Sequence, residues 1–207
     1  MRIWPGLSQS ERGAAYRAAL ETLAQQGLLY ACDCTRRDIE NALSAPQEGA
    51  PLGPDGIIYP GTCRSRGLPL FAGHAIRLNM NKAASTDVSF RDNGMTHVMA
   101  PRLMVSTVGD IVLARRDMGT SYHLSVVVDD AAQGVTHVTR GRDLFEATAI
   151  HALLQQLLDL PKPDYIHHRL IRDDKGKRLA KRDDARAIAT YRKAGDTPAA
   201  MLARVGL

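Results

Sequence analysis

All three cysteines of the chain fall between residues 32 and 63. Cys32 and Cys34 sit one residue apart in YACDCTRRD, and Cys63 lies in YPGTCR. Residues i and i+2 of an extended chain point the same way, but a disulfide closed across so small a ring is strained. A metal satisfies the pair better, because two such thiolates can turn toward one zinc ion, which takes four ligands in a tetrahedron. Cys63 offers a third thiolate, and the Pro60-Gly61 turn can fold it and Tyr59 back onto one point. The fourth ligand stays open on this reasoning, between the Tyr59 phenolate, the His74 imidazole and a water. Histidine is the commoner zinc ligand. Clustered cysteines also fit a reducing compartment better than a disulfide framework, so a cytoplasmic protein is expected.

The clip bears on what lies between its ends. Residues 44–63 are rich in Pro and Gly, lack periodicity and predict a loop. A loop this long in a compact domain needs a reason, and a metal holding both ends is one.

The rest of the chain reads as α/β. QSERGAAYRAALETLAQQ (9–26) predicts a helix capped by Ser10 and ended by Gly27, with Tyr16, Leu20 and Leu23 on one face. LLYACDC is a short strand. Thr35 and Asp38 form a capping box that opens a helix through Leu43. HAIRLNM, DVSFRDN and DIVLARRD read as strands, and SYHLSVVVDDAAQG as a helix. VTHVTR (strand), DLFEATAIHALLQQLLDL (helix) and DYIHHRLI (buried strand) suggest a βαβ unit in a parallel sheet. ARAIATYRKAG and PAAMLARVGL close the chain as helices. Ligands of such sheets bind at the carboxyl ends of the strands, so the loops after VTHVT and DYIHHRLI are the places to search.

The second of those loops, DKGKRLAKRDD, carries Lys175, Lys177, Arg178, Lys181 and Arg182 around Gly176. A charge run is usually a solvated turn. Between a strand and a helix it can instead be a mobile loop that neutralises phosphate as charge builds on a leaving group. The net charge of +5 permits an anionic partner without demanding one. No apolar run is long enough to span a membrane, and the N-terminus has no secretory hydrophobic region, so no membrane partner is expected.

GKRLAKRD resembles a divergent KMSKS loop of class I aminoacyl-tRNA synthetases. RRDMGTSYHLSVVVDDAAQGVTHVTRGRDL closely resembles the central block of their glutamate-specific branch. With CDC and YPGTC, the resemblance covers nearly the whole chain from about Gln9. It narrows to the short paralogues of glutamyl-tRNA synthetase that attach glutamate to queuosine in the anticodon of tRNA(Asp).

The resemblance implies an α/β, Rossmann-like class I catalytic core over 1–207. Within it lie a small zinc-binding insertion at 30–64 and the second half of the nucleotide fold, with the KMSKS-like loop, at 136–207. It implies zinc ligands Cys32, Cys34, Tyr59 and Cys63, and glutamate contacts from Tyr122 and Arg140. Lys181 would be the catalytic, ATP-binding lysine, stabilising the departing pyrophosphate. Substrates would be L-glutamate, ATP with Mg2+, and tRNA(Asp) carrying queuosine, handled by a monomer. Asp129 and Asp130 belong to the matched block but are assigned no catalytic role beyond capping or orienting the neighbouring strand.

The family's opening HIGH motif, and the upstream arginine and acidic residues that help hold glutamate, have no counterpart in this sequence. The expected core is therefore N-terminally incomplete, whether as a fragment, a misplaced start or a decayed copy. Weak or no adenylation by the 207-residue chain is expected. About two helices follow Arg182, which favours the short paralogue over a C-terminally clipped glutamyl-tRNA synthetase. The alternative from another class is a non-catalytic, zinc-stabilised tRNA-binding module. An aromatic content of 5% argues against it, because single-strand binders stack bases on aromatic rings.

Overall fold

The computed structural model describes residues 7–43, 51–116, 119–172, 176 and 187–206. The described residues form two compact units. One runs to Arg140 and resumes over Leu144–His167; the other combines Gly141–Asp143 with the chain from His168 onward.

The first unit opens on a 3-10 turn, Gln9–Glu11, and helix α1, Gly13–Gln25. Tyr16, Leu20 and Leu23 are its buried face, as their spacing predicts. The expected Ser10 cap is not made. The Ser10 hydroxyl lies 2.7 Å from that of Ser8, and Arg12 takes the cap position. Arg12 is held there by Asp129, which also accepts from Tyr16 Oη at 2.6 Å and Gln9 Nε2 at 3.3 Å. Among the described residues, the Asp129 carboxylate thus anchors the first helix. Asp129→Ala is expected to cost about 2 kcal/mol, since it strands three donors, and to lower the thermal midpoint by roughly 5 °C.

Beyond Gly27, where the Leu28 N–H bonds back to Leu23 O, the chain enters β1 (Leu29–Cys32). This strand pairs antiparallel with β4 (Ala75–Leu78), which pairs antiparallel with β7 (Val112–Ala114). Between β1 and β4 lie α2 (Arg36–Ala42), opened by the reciprocal Thr35–Asp38 capping box, and a two-stranded hairpin, β2 (Leu52–Gly53) and β3 (Gly56–Ile57). The stretch read as featureless loop therefore contains a hairpin, too short to show periodicity.

Helix α3 (Met80–Ala83) leads to a second sheet, ordered β6-β5-β9-β8. Strands β5 (Val88–Asp92) and β6 (Met95–Met99) pair antiparallel through an Asn93-Gly94 turn with φ of 48° and 78°. That turn is a strong hairpin signal, because both residues must adopt positive φ. The expected parallel sheet is consequently mixed: β5 is parallel to β9 (Asp164–His168) and antiparallel to β6. Strand β9 alternates buried and exposed residues and is not wholly buried.

A short helix, α4 (Pro101–Leu103), runs into a π turn, Met104–Val108. Helix α5 (Tyr122–Ala132) follows β7, and helix α6 (Thr148–Leu157) lies between β8 (His137–Gly141) and β9. The core joins the inner faces of α1, α5 and α6 to both sheets, with Leu23, Leu78, Leu113, Leu124, Ile150 and Leu154 sealed from solvent. In the second unit, α7 (Ile188–Lys193) and α8 (Pro198–Arg204) stand where helices are expected, and Thr197 caps α8. Among the described residues no helix is long and apolar enough to cross a membrane.

Candidate functional site

Two side-chain clusters in the first unit carry chemistry. The first stands where β1 ends. Cys32 and Cys63 are buried and Cys34 is partly so; their sulfurs lie within 4.8 Å of one another. Cys34 Sγ is 3.4 Å from Cys63 Sγ. The Tyr59 hydroxyl sits 3.4 Å from Cys32 Sγ and 3.3 Å from Cys34 Sγ, and accepts the Cys63 N–H at 3.0 Å. The structure brings together the four residues of the family pattern. His74, the alternative from ligand frequency, lines a separate cleft of about 460 Å³ with Tyr16, Arg17, Arg115 and Arg116.

The spacing suits a small cation. A tetrahedral zinc would hold sulfurs about 3.8 Å apart and sulfur and oxygen about 3.5 Å apart, close to these separations. Protonation fits the same reading. Burial, then hydrogen bonding to Cys32, Cys34 and Cys63, raises the Tyr59 phenol; burial also raises the Cys34 thiol. Burial opposes ionisation of Cys63 too, but hydrogen bonds from Tyr59, Cys34 and Arg66 outweigh it and bring that thiol down to about 7. Tyr59 and Cys34, crowded this tightly, hold their protons unless a cation replaces them.

The cluster is braced from the sheet side. The Arg77 guanidinium lies 3.9 Å from the centroid of the Tyr59 ring and donates to the Asp110 backbone oxygen at 2.9 Å. The Asp110 carboxylate, sealed from solvent, accepts from Tyr30 Oη and Arg64 Nε at 2.5 Å each and from the Met80 N–H at 2.8 Å.

The second cluster surrounds Arg140 on β8. Its Nε donates to His167 Nε2 at 3.1 Å, Nη1 meets His151 Nδ1 at 3.1 Å, and Nη2 donates to Thr148 Oγ1 at 2.6 Å. The guanidinium also stands 5.0 Å from the centroid of the Tyr165 ring. His167 Nδ1 is 2.8 Å from Asp92 Oδ1 at the end of β5. His151 Nε2 is 3.0 Å from His123 Nδ1, and His123 Nε2 is 3.2 Å from Asp55 Oδ1 in the β2–β3 turn. Tyr122, exposed at the first position of α5, lies with its ring 5.7 Å from that of His151. Tyr122 and Arg140 therefore flank one buried imidazole.

Asp130 also faces this cluster. Burial, then the Asp129 charge, raises its carboxyl, while Arg140 pulls it down. Sequence reasoning did not single out His123, His151, His167, Thr148 or Asp92. The available signal was three histidines set in otherwise apolar elements, each at a position facing inward. Lys181 and the other cations of the basic loop lie outside the described residues.

Residues 4–207 match the family described as tRNA synthetases class I (E and Q), catalytic domain. A glutamyl-Q tRNA(Asp) synthetase of Rhodobacter capsulatus is 61% identical over 211 residues, covering 98% of this chain and 76% of the relative. One of Burkholderia cenocepacia is 41% identical over 184 residues, covering 89% of this chain and 59% of its own length. Among solved structures, a glutamate tRNA ligase of Elizabethkingia meningosepticum in complex with its amino acid superposes with a TM-score of 0.65 at 24% identity. It matches 88% of this chain and 38% of that one. The solved structure bears on the fold alone.

Proposed function

The chain belongs to the class I tRNA synthetases for E and Q, catalytic-domain family, and from that membership we propose that it activates L-glutamate with ATP and transfers it to queuosine in tRNA(Asp). The observation that carries this reading is likeness to glutamyl-Q tRNA(Asp) synthetases along nearly the whole chain. A half-buried arginine and an exposed tyrosine at one cluster support it as a place for a carboxylate-bearing amino acid.

In the proposed first step a glutamate carboxylate oxygen attacks the α-phosphorus of ATP in line, and pyrophosphate leaves with its Mg2+. Arg140 takes the other carboxylate chemistry, holding the amino acid by its fork, and Tyr122 offers a phenolic hydroxyl and a flat wall. Lys181 would neutralise the departing pyrophosphate. In the second step a queuosine ring hydroxyl attacks the activated carbonyl and AMP leaves. We also propose that Cys32, Cys34, Tyr59 and Cys63 hold one Zn2+, with a purely structural role in a closed site, and that the protein works in the cytoplasm.

The experiment is transfer of labelled glutamate by the chain to tRNA(Asp) with and without queuosine, and to tRNA(Glu). The ratio between acceptors is the readout, so a slow rate does not obscure it. Incorporation is expected only with queuosine-bearing tRNA(Asp). Charging of tRNA(Glu) would instead indicate a glutamyl-tRNA synthetase. Salt-sensitive tRNA binding with no transfer to any acceptor would indicate a binding module.

A further inference from the structure

Among the described residues, every hydrogen bond of the Arg140 guanidinium goes to a neutral acceptor: two imidazole nitrogens and one hydroxyl. A guanidinium can only donate. That one fact orients the network. His151 Nδ1 must accept, so its proton sits on Nε2 and is donated to His123 Nδ1. His123 then carries its proton on Nε2 and donates it to Asp55. On the other arm His167 Nε2 accepts from Arg140, so Nδ1–H donates to Asp92. Both arms begin at one arginine and end on carboxylates. Burial, then the Arg140 charge, pushes His151 down to about 2, which keeps it neutral as the orientation requires.

We propose that His151, backed by His123 and Asp55, is a positioning residue that fixes the Arg140 fork and leaves its positive charge available to a carboxylate ligand. This rests on the reading of Arg140 as the partner of glutamate. His151 and Thr148 each take one N–H of a terminal nitrogen, and each of those nitrogens has a second N–H to offer. Two such N–H groups on adjacent nitrogens are what a carboxylate accepts bidentately. Had a carboxylate held the fork directly, its charge would already be met. Among the described residues, Asp92 stands one imidazole away and Asp55 two, and Asp130 meets the guanidinium through its charge alone. The arm also links the cysteine-bearing insertion to the cluster, because Asp55 sits at the tip of the β2–β3 hairpin.

The test compares His151→Phe, which fills the space without an acceptor, with His151→Gln. The glutamine amide offers an oxygen toward Arg140 and an N–H toward His123. L-glutamate binding to the chain is measured by calorimetry, beside thermal unfolding of each variant. His151→Phe should weaken binding by about tenfold or more, and His151→Gln should restore it to within about threefold of the parent. If His151→Phe folds and binds like the parent while Arg140→Ala does not bind, the positioning role is overturned and the reading of Arg140 stands. If the parent binds no glutamate, or Arg140→Ala binds unchanged, both fall. Should His151→Phe fail to fold, ¹⁵N–¹H correlation spectra of the histidine-labelled parent decide. His151 and His123 are expected as Nε2–H and His167 as Nδ1–H; His151 protonated at neutral pH, or in the Nδ1–H form, overturns the inference.

Discussion

Replacing Cys63 by serine, or treating the chain with a strong chelator, is expected to remove about one zinc per chain and to lower the thermal midpoint by roughly 10 °C. The effect is large because four donors lie 3.3–3.4 Å from their nearest neighbours in the cluster, a spacing that only a shared cation makes favourable once they are ionised. Without it, Cys34 and Tyr59 must keep their protons, whose removal burial already opposes. Binding therefore expels protons, and zinc affinity should rise with pH and fall on acidification. Elemental analysis checks the metal content. Cobalt substitution gives a second readout: thiolate-to-metal charge-transfer absorption in the parent that weakens in Cys63→Ser. A parent chain that purifies without metal and takes up none would sink the zinc reading.

The second large effect is expected at Asp110. Its carboxylate has no exposure and satisfies Tyr30, Arg64 and the Met80 N–H together. Burial and then the Asp110 hydrogen bond raise the Tyr30 phenol, so that hydroxyl remains a donor throughout the accessible pH range. Asp110→Ala leaves a buried hydroxyl, a buried amide and a partly buried guanidinium without their acceptor. A cost of about 3–5 kcal/mol follows. Asp110→Asn should fall between, since its amide oxygen still accepts but without charge. Urea unfolding of the two variants checks the order; a loss under about 1 kcal/mol for Asp110→Ala would mean that water replaces the carboxylate. Because Tyr30 packs against Cys32 and Tyr59, Asp110→Ala should also loosen the metal cluster.

The elements legible in the sequence were those whose signals are local. The Thr35–Asp38 box, the Tyr16–Leu20–Leu23 face and the end of α1 at Gly27 each depend on residues within a few positions. The cysteine cluster was legible through chemistry, since three thiols near a Pro-Gly turn suggest convergence without specifying coordinates. Ligand frequency favoured His74, but the β1–β4 register sets Ala75 opposite Cys32, while His74, one residue earlier, lines a separate cleft and the Tyr59 hydroxyl stands among the sulfurs.

What escaped was set by long-range contact. Asp129 looked like a motif residue of unknown purpose because its donors lie more than a hundred positions upstream. The histidines around Arg140 come from α5, α6 and β9, and nothing in one-dimensional spacing brings them together. The β5–β6 hairpin is different: Asn93-Gly94 signals it locally, but Met95 and Val98 point their apolar side chains to solvent, so β6 has no buried face to mark it in the sequence.

The seating of the β2–β3 hairpin has a consequence for descent. A methyl group on Gly53 would lie 2.4 Å from the Thr107 backbone oxygen, and one on Gly109, at φ +68°, would lie 2.6 Å from Ile58 Cγ2. Backbone on one side and a packed side chain on the other leave no slack for gradual enlargement at either glycine. A lineage can drift freely at the hairpin's exposed Leu52, yet the two glycines can change only together with a rearrangement of the π turn beneath them. The hairpin, and Asp55 on it, should therefore be inherited or lost as a whole.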